Sequence, residues 1–145
     1  MIDCIKKLEN KRVDKIIAGG SNGSIILLDL VDSLEKNVLY VYSAWRLSLN
    51  NKILTGSNDD SESNESVFVV ELKKLENDIV KKTFTNVLGD FALEFSSGKK
   101  LDVFSDITSN GGSDDVRENW VVCNISKNIC YNFTNRFDFY EESYN

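Results

Sequence analysis

Histidine and proline are both absent from the 145 residues, methionine occurs once and cysteine three times. Without histidine, Ser-His and Cys-His nucleophilic catalysis, imidazole proton shuttles and most zinc sites are excluded together. Without proline, the turns fall to glycine and asparagine, which tolerate positive φ. Basic side chains are in deficit as well: 17 Lys and Arg stand against 23 Asp and Glu, a formal net charge of -6. That balance argues against nucleic acid and anionic membrane as partners, since both need clustered cations. It suits attraction of a basic protein. No stretch approaches the roughly 18 apolar residues of a membrane span. Met1–Lys7 shows no basic segment leading into an apolar run, so no secretory signal and a cytoplasmic location are expected. There Cys4, Cys123 and Cys130, odd in number and without a CxxC pair, read as reduced apolar core residues. A Cys123–Cys130 disulfide across a tight turn is the alternative.

What is present suffices for one domain over 1–145: 41% of residues are hydrophobic and 10% aromatic, enough for a continuous core. The pentapeptide Lys-Lys-Leu-Glu-Asn occurs at 6–10 and again at 73–77. Similar patterns follow each copy. Ile26-Leu27-Leu28-Asp29-Leu30 and Leu39-Tyr40-Val41-Tyr42 precede Trp45; Phe91-Ala92-Leu93-Glu94-Phe95 and Leu101-Asp102-Val103-Phe104 precede Trp120. Apolar residues alternate in these runs, with Asp29 and Glu94 turned away, the period of a strand with one buried face. Short last strands are expected near Ile53-Leu54 and Ile129-Cys130-Tyr131.

The fold expected is α+β, mainly antiparallel strands with two short helices, as two diverged pseudo-twofold repeat units. Each unit has one helix and three or four strands. Unit one covers about 1–54, an acidic linker 55–66, unit two about 67–131, and an aromatic, acidic segment 132–145. Ile2, Ile5 and Leu8 have helical spacing behind Asp3 as an N-cap. A second helix over about 66–76 competes with a strand, because Val67, Val69 and Val70 are poor helix formers. Gly19-Gly20-Ser21-Asn22-Gly23 and Ser96-Ser97-Gly98-Lys99 read as hairpin connections.

No catalytic constellation emerges, and the chain is expected not to be an enzyme. Asp59-Asp60 and Asp114-Asp115 are neighbours in polar loops, where nothing separates their pKa values into acid and base roles. Asp106–Glu118 lacks the ligand alternation of a calcium loop, and the Gly19–Gly23 cluster lacks the Gly-Lys-Ser/Thr ending of a phosphate loop. No metal or cofactor is expected. Trp45 and Trp120 are expected in the core near the pseudo-twofold axis between the units, with direct ligand stacking as the alternative. Phe133, Phe137, Tyr140 and Tyr144 are spaced i, i+4, i+7, i+11. They either lie back over the core as a helix or a strand, or form a partner-facing patch rimmed by Asp138, Glu141 and Glu142.

The second half carries a cadence of Lys-Lys-Leu-Glu-Asn, Asp90–Phe95, Ser-Gly-Lys-Lys-Leu101-Asp102-Val103-Phe104, an acidic loop, and Glu118-Asn119-Trp120. The first half has Trp45-Arg46-Leu47-Ser48. This layout resembles small bacterial immunity proteins encoded beside polymorphic or contact-dependent growth-inhibition toxins. The resemblance implies a non-enzymatic protein that sits on a cognate toxin and occludes its active site or an adjacent face. Many such toxins are nucleases with a basic cleft, which acidic loops would mimic phosphate to fill. The candidate contacts are therefore Asp59, Asp60, Glu62, Glu65, Asp114, Asp115 and Glu118. The alternative is a binding or scaffolding module for another protein, or for a small ligand held between the units.

Overall fold

A computed structural model describes residues 2–59, 66–107 and 116–144. The elements are α1 (Ile2–Lys6), β1 (Arg12–Ile17), β2 (Ile26–Val31), β3 (Lys36–Val41), β4 (Ala44–Leu49), β5 (Lys52–Gly56), α2 (Val67–Lys73), β6 (Val80–Thr85), β7 (Phe91–Phe95), β8 (Lys99–Phe104), β9 (Glu118–Asn124), β10 (Ile129–Thr134) and β11 (Phe139–Ser143). They form a six-stranded sheet, β1-β2-β3-β9-β10-β11, and a five-stranded sheet, β5-β4-β8-β7-β6. Every pairing is antiparallel. The class is α+β as expected, and the arrangement is two sheets whose inward side chains meet in one core. No described helix is long and apolar enough to cross a membrane.

Binary patterning explains which face goes in. Ile26, Leu28 and Leu30 of β2 are buried while Leu27, Asp29 and Val31 face outward at intermediate exposure. Glu94 likewise turns out of β7 between buried Leu93 and Phe95. Ile5 and Leu8 from the α1 end, and Phe68, Leu72 and Leu75 from the α2 end, pack into the same core. Each such side chain, fully buried, contributes about 1.5–3 kcal/mol relative to exposure. Trp45 and Trp120 are 2% and 1% exposed. Their indole N–H groups donate to the carbonyls of Ser24 and Gly89, both at 2.9 Å, so neither buried donor is left unsatisfied.

The second helix forms despite its three valines. Ser66 caps it, accepting from the Val69 amide at 3.4 Å, and burial of Phe68, Val69 and Leu72 outweighs weak helix propensity. Asparagine replaces proline in the turns: Asn50 and Asn51, both at positive φ, make the two-residue β4–β5 hairpin.

The two pentapeptides occupy corresponding places. Asn10 and Asn77 both adopt positive φ just after a helix. The Asn10 amide donates to Val80 O and the Asn77 amide to Val13 O, each at 2.7 Å. Val13 N donates to Asp78 O at 2.8 Å and Val80 N to Lys11 O at 2.9 Å. Across these bonds the corresponding residues are 67 positions apart.

Several boundaries differ from expectation. Each half has a further strand after its pentapeptide, β1 and β6, so units of three or four strands undercount. The pattern of β6 hides it, with Val80 buried and Lys81, Lys82 and Phe84 exposed at a sheet edge. The linker starts later than residue 55: Thr55 is buried within β5. Asn132–Thr134 belong to β10, and the spacing of Phe133, Phe137, Tyr140 and Tyr144 is not helical, since Phe137 lies in the β10–β11 turn at positive φ. The reduced-cysteine expectation is also overturned for two of three. Cys123 and Cys130 face each other across β9 and β10 and are disulfide-bonded, while Cys4 is a buried thiol outside that bond.

Candidate functional site

Sheet pleating places alternate residues of β3, β9, β10 and β11 on the outer face of the six-stranded sheet. Val38 pairs with Cys123, Cys123 with Cys130, and Cys130 with Glu142. In the next row Tyr40 pairs with Val121, Val121 with Asn132, and Asn132 with Tyr140. Val121, Cys123 and Cys130 form a small apolar cluster with Tyr40 and Ile125, separate from the main core. Tyr42, two residues beyond Tyr40, stacks parallel to it with ring centroids 6.3 Å apart.

Between these residues lies a slot of about 420 Å³. Tyr40, Tyr42, Tyr144, Glu118 and Glu142 line it, over a base of Val121, Asn132 and the cystine. Asn132 is buried and its amide donates to Glu142 Oε1 at 3.1 Å, which fixes that carboxylate. The Tyr140 hydroxyl reaches to 3.5 Å from Glu118 Oε1. Burial, then Tyr144, pushes the Tyr40 phenol up; burial, then the Glu118 carboxylate, does the same to Tyr42. Four of the chain's five tyrosines thus sit on this face, with two carboxylates among them and no described Lys or Arg lining the slot. The fifth, Tyr131, packs against the core and stacks on Phe139.

A second cleft of about 650 Å³ adjoins the first and shares Tyr42 and Glu118 with it. It lies where the chain crosses between sheets, after β3 and around the start of β9. Its polar groups are largely committed within the chain. Asn119 accepts from Asp106 N at 2.9 Å and donates to Asp106 O at 3.0 Å. Ser43 Oγ is buried there without a partner. Among the described residues, no three carboxylate or thiol groups converge as metal ligands would.

Of the expected contact residues, Asp59 and Glu118 fall within the described residues. Asp60, Glu62, Glu65, Asp114 and Asp115 lie outside them. Asp59 follows β5 at the edge of the five-stranded sheet. It accepts from Thr55 Oγ1 at 2.7 Å and Gly56 N at 3.2 Å, which binds it to its own turn. Glu118 opens β9 on the other sheet and joins the tyrosine face. Tyr140, Tyr144 and Glu142, read as a possible partner-facing patch, are on that face; Phe133 is core. Tyr40, Tyr42 and Asn132 were missed. The signal for the two tyrosines was available in Leu39-Tyr40-Val41-Tyr42, which sets them on the face opposite two buried aliphatics.

No family model, no curated protein and no solved structure matches the chain.

Proposed function

We propose that this chain is a non-enzymatic, toxin-neutralising immunity protein, which binds a basic toxin domain in the cytoplasm and covers its active site or an adjacent face. One observation carries the reading: the outer face of the six-stranded sheet, which no described element covers and where Tyr40, Tyr42, Tyr140 and Tyr144 surround Glu118 and Glu142. Tyrosine is enriched at protein interfaces because it buries a large rigid ring at low entropic cost while its hydroxyl remains satisfied. The overall charge of -6 favours fast encounter with a basic partner. The sequence cadence supplies the toxin as the class of partner. Asp60, Glu62, Glu65, Asp114 and Asp115 stay candidates for a rim of charge around the contact.

Growth rescue tests the reading. The product of the gene adjacent to this one should be toxic when expressed alone, cells expressing it should survive when this chain is co-expressed, and the two should co-purify. Death at full expression of both proteins would refute it.

A second reading rests on Ser43. Its unpartnered buried hydroxyl beside the 650 Å³ cleft supports a small polar ligand there, as an unmet hydrogen bond invites an occupant.

We further read the two halves as diverged copies of one unit. The matching element order and the shared 67-residue offset of their exchanged hydrogen bonds support it.

A further inference from the structure

The two outer faces treat their aromatic rings differently. On the five-stranded sheet the chain supplies its own cations: Arg46 lies 5.0 Å over the ring of Phe104, and Lys82 and Lys100 lie 4.9 and 5.4 Å over Phe84. Asp102 and Glu94 alternate with these cations in the same rows. On the six-stranded sheet no described Lys or Arg lies over Tyr40, Tyr42, Tyr140 or Tyr144. The two glutamates in the slot are likewise without a described cationic partner: the described ion pairs of that sheet involve Asp14 on β1 and Asp29, Asp32 and Glu35 around the β2–β3 hairpin. The slot therefore combines π faces and two carboxylates over a base of cystine, Val121 and Asn132, with no Lys or Arg among the described residues that line it.

We infer that the slot takes one arginine side chain of the protein partner, its guanidinium over the tyrosine rings and between Glu118 and Glu142. Arginine fits better than lysine. Its planar guanidinium stacks on an aromatic face while its N–H fork reaches more than one carboxylate, and it is less costly to dehydrate than an ammonium. Asn132, held against Glu142 from below, presets one carboxylate and reduces the ordering needed on binding. Tyr42 and Tyr144, at 42% and 43% exposure, retain area to lose on contact. The slot's volume leaves room for the backbone that carries the arginine. This inference deepens the protein-binding reading and rests on it for the occupant's identity as part of a protein.

The test is an NMR titration of the full chain with hexa-arginine, hexa-lysine and hexa-citrulline, the last a neutral isostere. Tyr42→Ala and Glu118→Gln are the variants, each first checked for an unchanged amide spectrum elsewhere. The expected result is shifts confined to the slot residues, with hexa-arginine binding at least about tenfold more tightly than hexa-lysine and hexa-citrulline silent. Each variant should weaken hexa-arginine by about tenfold, the scale of one desolvated cation–ring or ion-pair contact. Shifts spread over all acidic residues, equal binding of lysine, or variants without effect would overturn the slot. The toxin itself separates the two proposals. Undiminished toxin binding by both variants would sink the arginine slot and leave the immunity reading standing. Arginine-selective binding without toxin binding would sustain the slot and remove the toxin.

Discussion

Glu9 and Glu76 perform the same task on opposite sheets. The Glu9 carboxylate accepts from the Thr83 amide at 2.8 Å, and the Glu76 carboxylate accepts from the Ile16 amide at 3.0 Å. Thr83 is in β6 and Ile16 in β1, each an edge strand of its sheet. An edge amide without a ladder partner is a template for unwanted pairing, and here each is occupied by the last-but-one residue of a pentapeptide. Glu9→Ala and Glu76→Ala should each cost about 1–3 kcal/mol in urea unfolding, the cost of leaving a partly buried donor unmet. Glutamine, which keeps the acceptor, should cost less than alanine at both positions.

Gly89 couples the two sheets. Its carbonyl accepts from Trp120 Nε1 at 2.9 Å and Ser105 Oγ at 2.8 Å. Its φ is +85°, and an added Cβ would come within 2.2 Å of Phe133 Cε2. Gly89→Ala should therefore destabilise by about 3 kcal/mol or more, from left-handed backbone strain plus displacement of a buried ring. Thermal unfolding should show a fall on the order of 10 °C. A loss below about 1 kcal/mol would mean the loop relaxes freely.

The Cys123–Cys130 bond closes a short loop, the two residues being seven apart. Chain-entropy arguments give a contribution of about 2–3 kcal/mol for such a loop. Reduction, or the pair of changes Cys123→Ala and Cys130→Ala, should lower unfolding free energy by about that amount without unfolding the chain, because the β9–β10 ladder and the main core remain. In a reducing compartment the stability measured with dithiothreitol is the relevant one. Cys4 should behave differently. Burial pushes its thiol up to about 11, so native protein should resist alkylation at pH 8 until it unfolds.

Asp32 sets a pH dependence. The Lys11 ammonium, hydrogen-bonded to it at 2.8 Å, lowers its pKa from 3.8 to about 2, with the Leu34 and Glu35 amides adding to the effect. A carboxylate lowered in the folded state stabilises fully above its unfolded pKa. That contribution is lost as pH falls from about 4 towards 2. Lys11→Met should return the Asp32 titration, followed by carboxyl NMR, towards its ordinary value and flatten stability across that window.

Legibility in the sequence followed burial. Strands with one fully apolar face, β2, β3, β7 and β8, are readable from alternation, and both tryptophans lie in the core as their pattern implies. Edge strands are not: β6, with Lys81 and Lys82, carries little apolar signal because one of its edges and one of its faces meet solvent. The disulfide was a weighed alternative whose geometry depends on pairing Val122 with Tyr131 and the cysteines beside them, a register that composition does not encode. The candidate site was half visible. Tyr140, Tyr144, Glu142 and Glu118 stood out as aromatic or acidic, whereas Tyr40 and Tyr42 read as strand residues. Only the adjacency of β3 to β9, 77 positions later at Tyr42 and Asn119, brings them together.

The central claim is that the tyrosine face binds a basic toxin domain. Titration calorimetry of this chain against the purified product of the gene adjacent to its own tests it most directly, at about 50 and 300 mM salt. The account predicts a one-to-one complex that weakens with salt, and that weakens further by at least about tenfold when Tyr42→Ala is introduced. An absence of heat and of complex at both salt concentrations would contradict it.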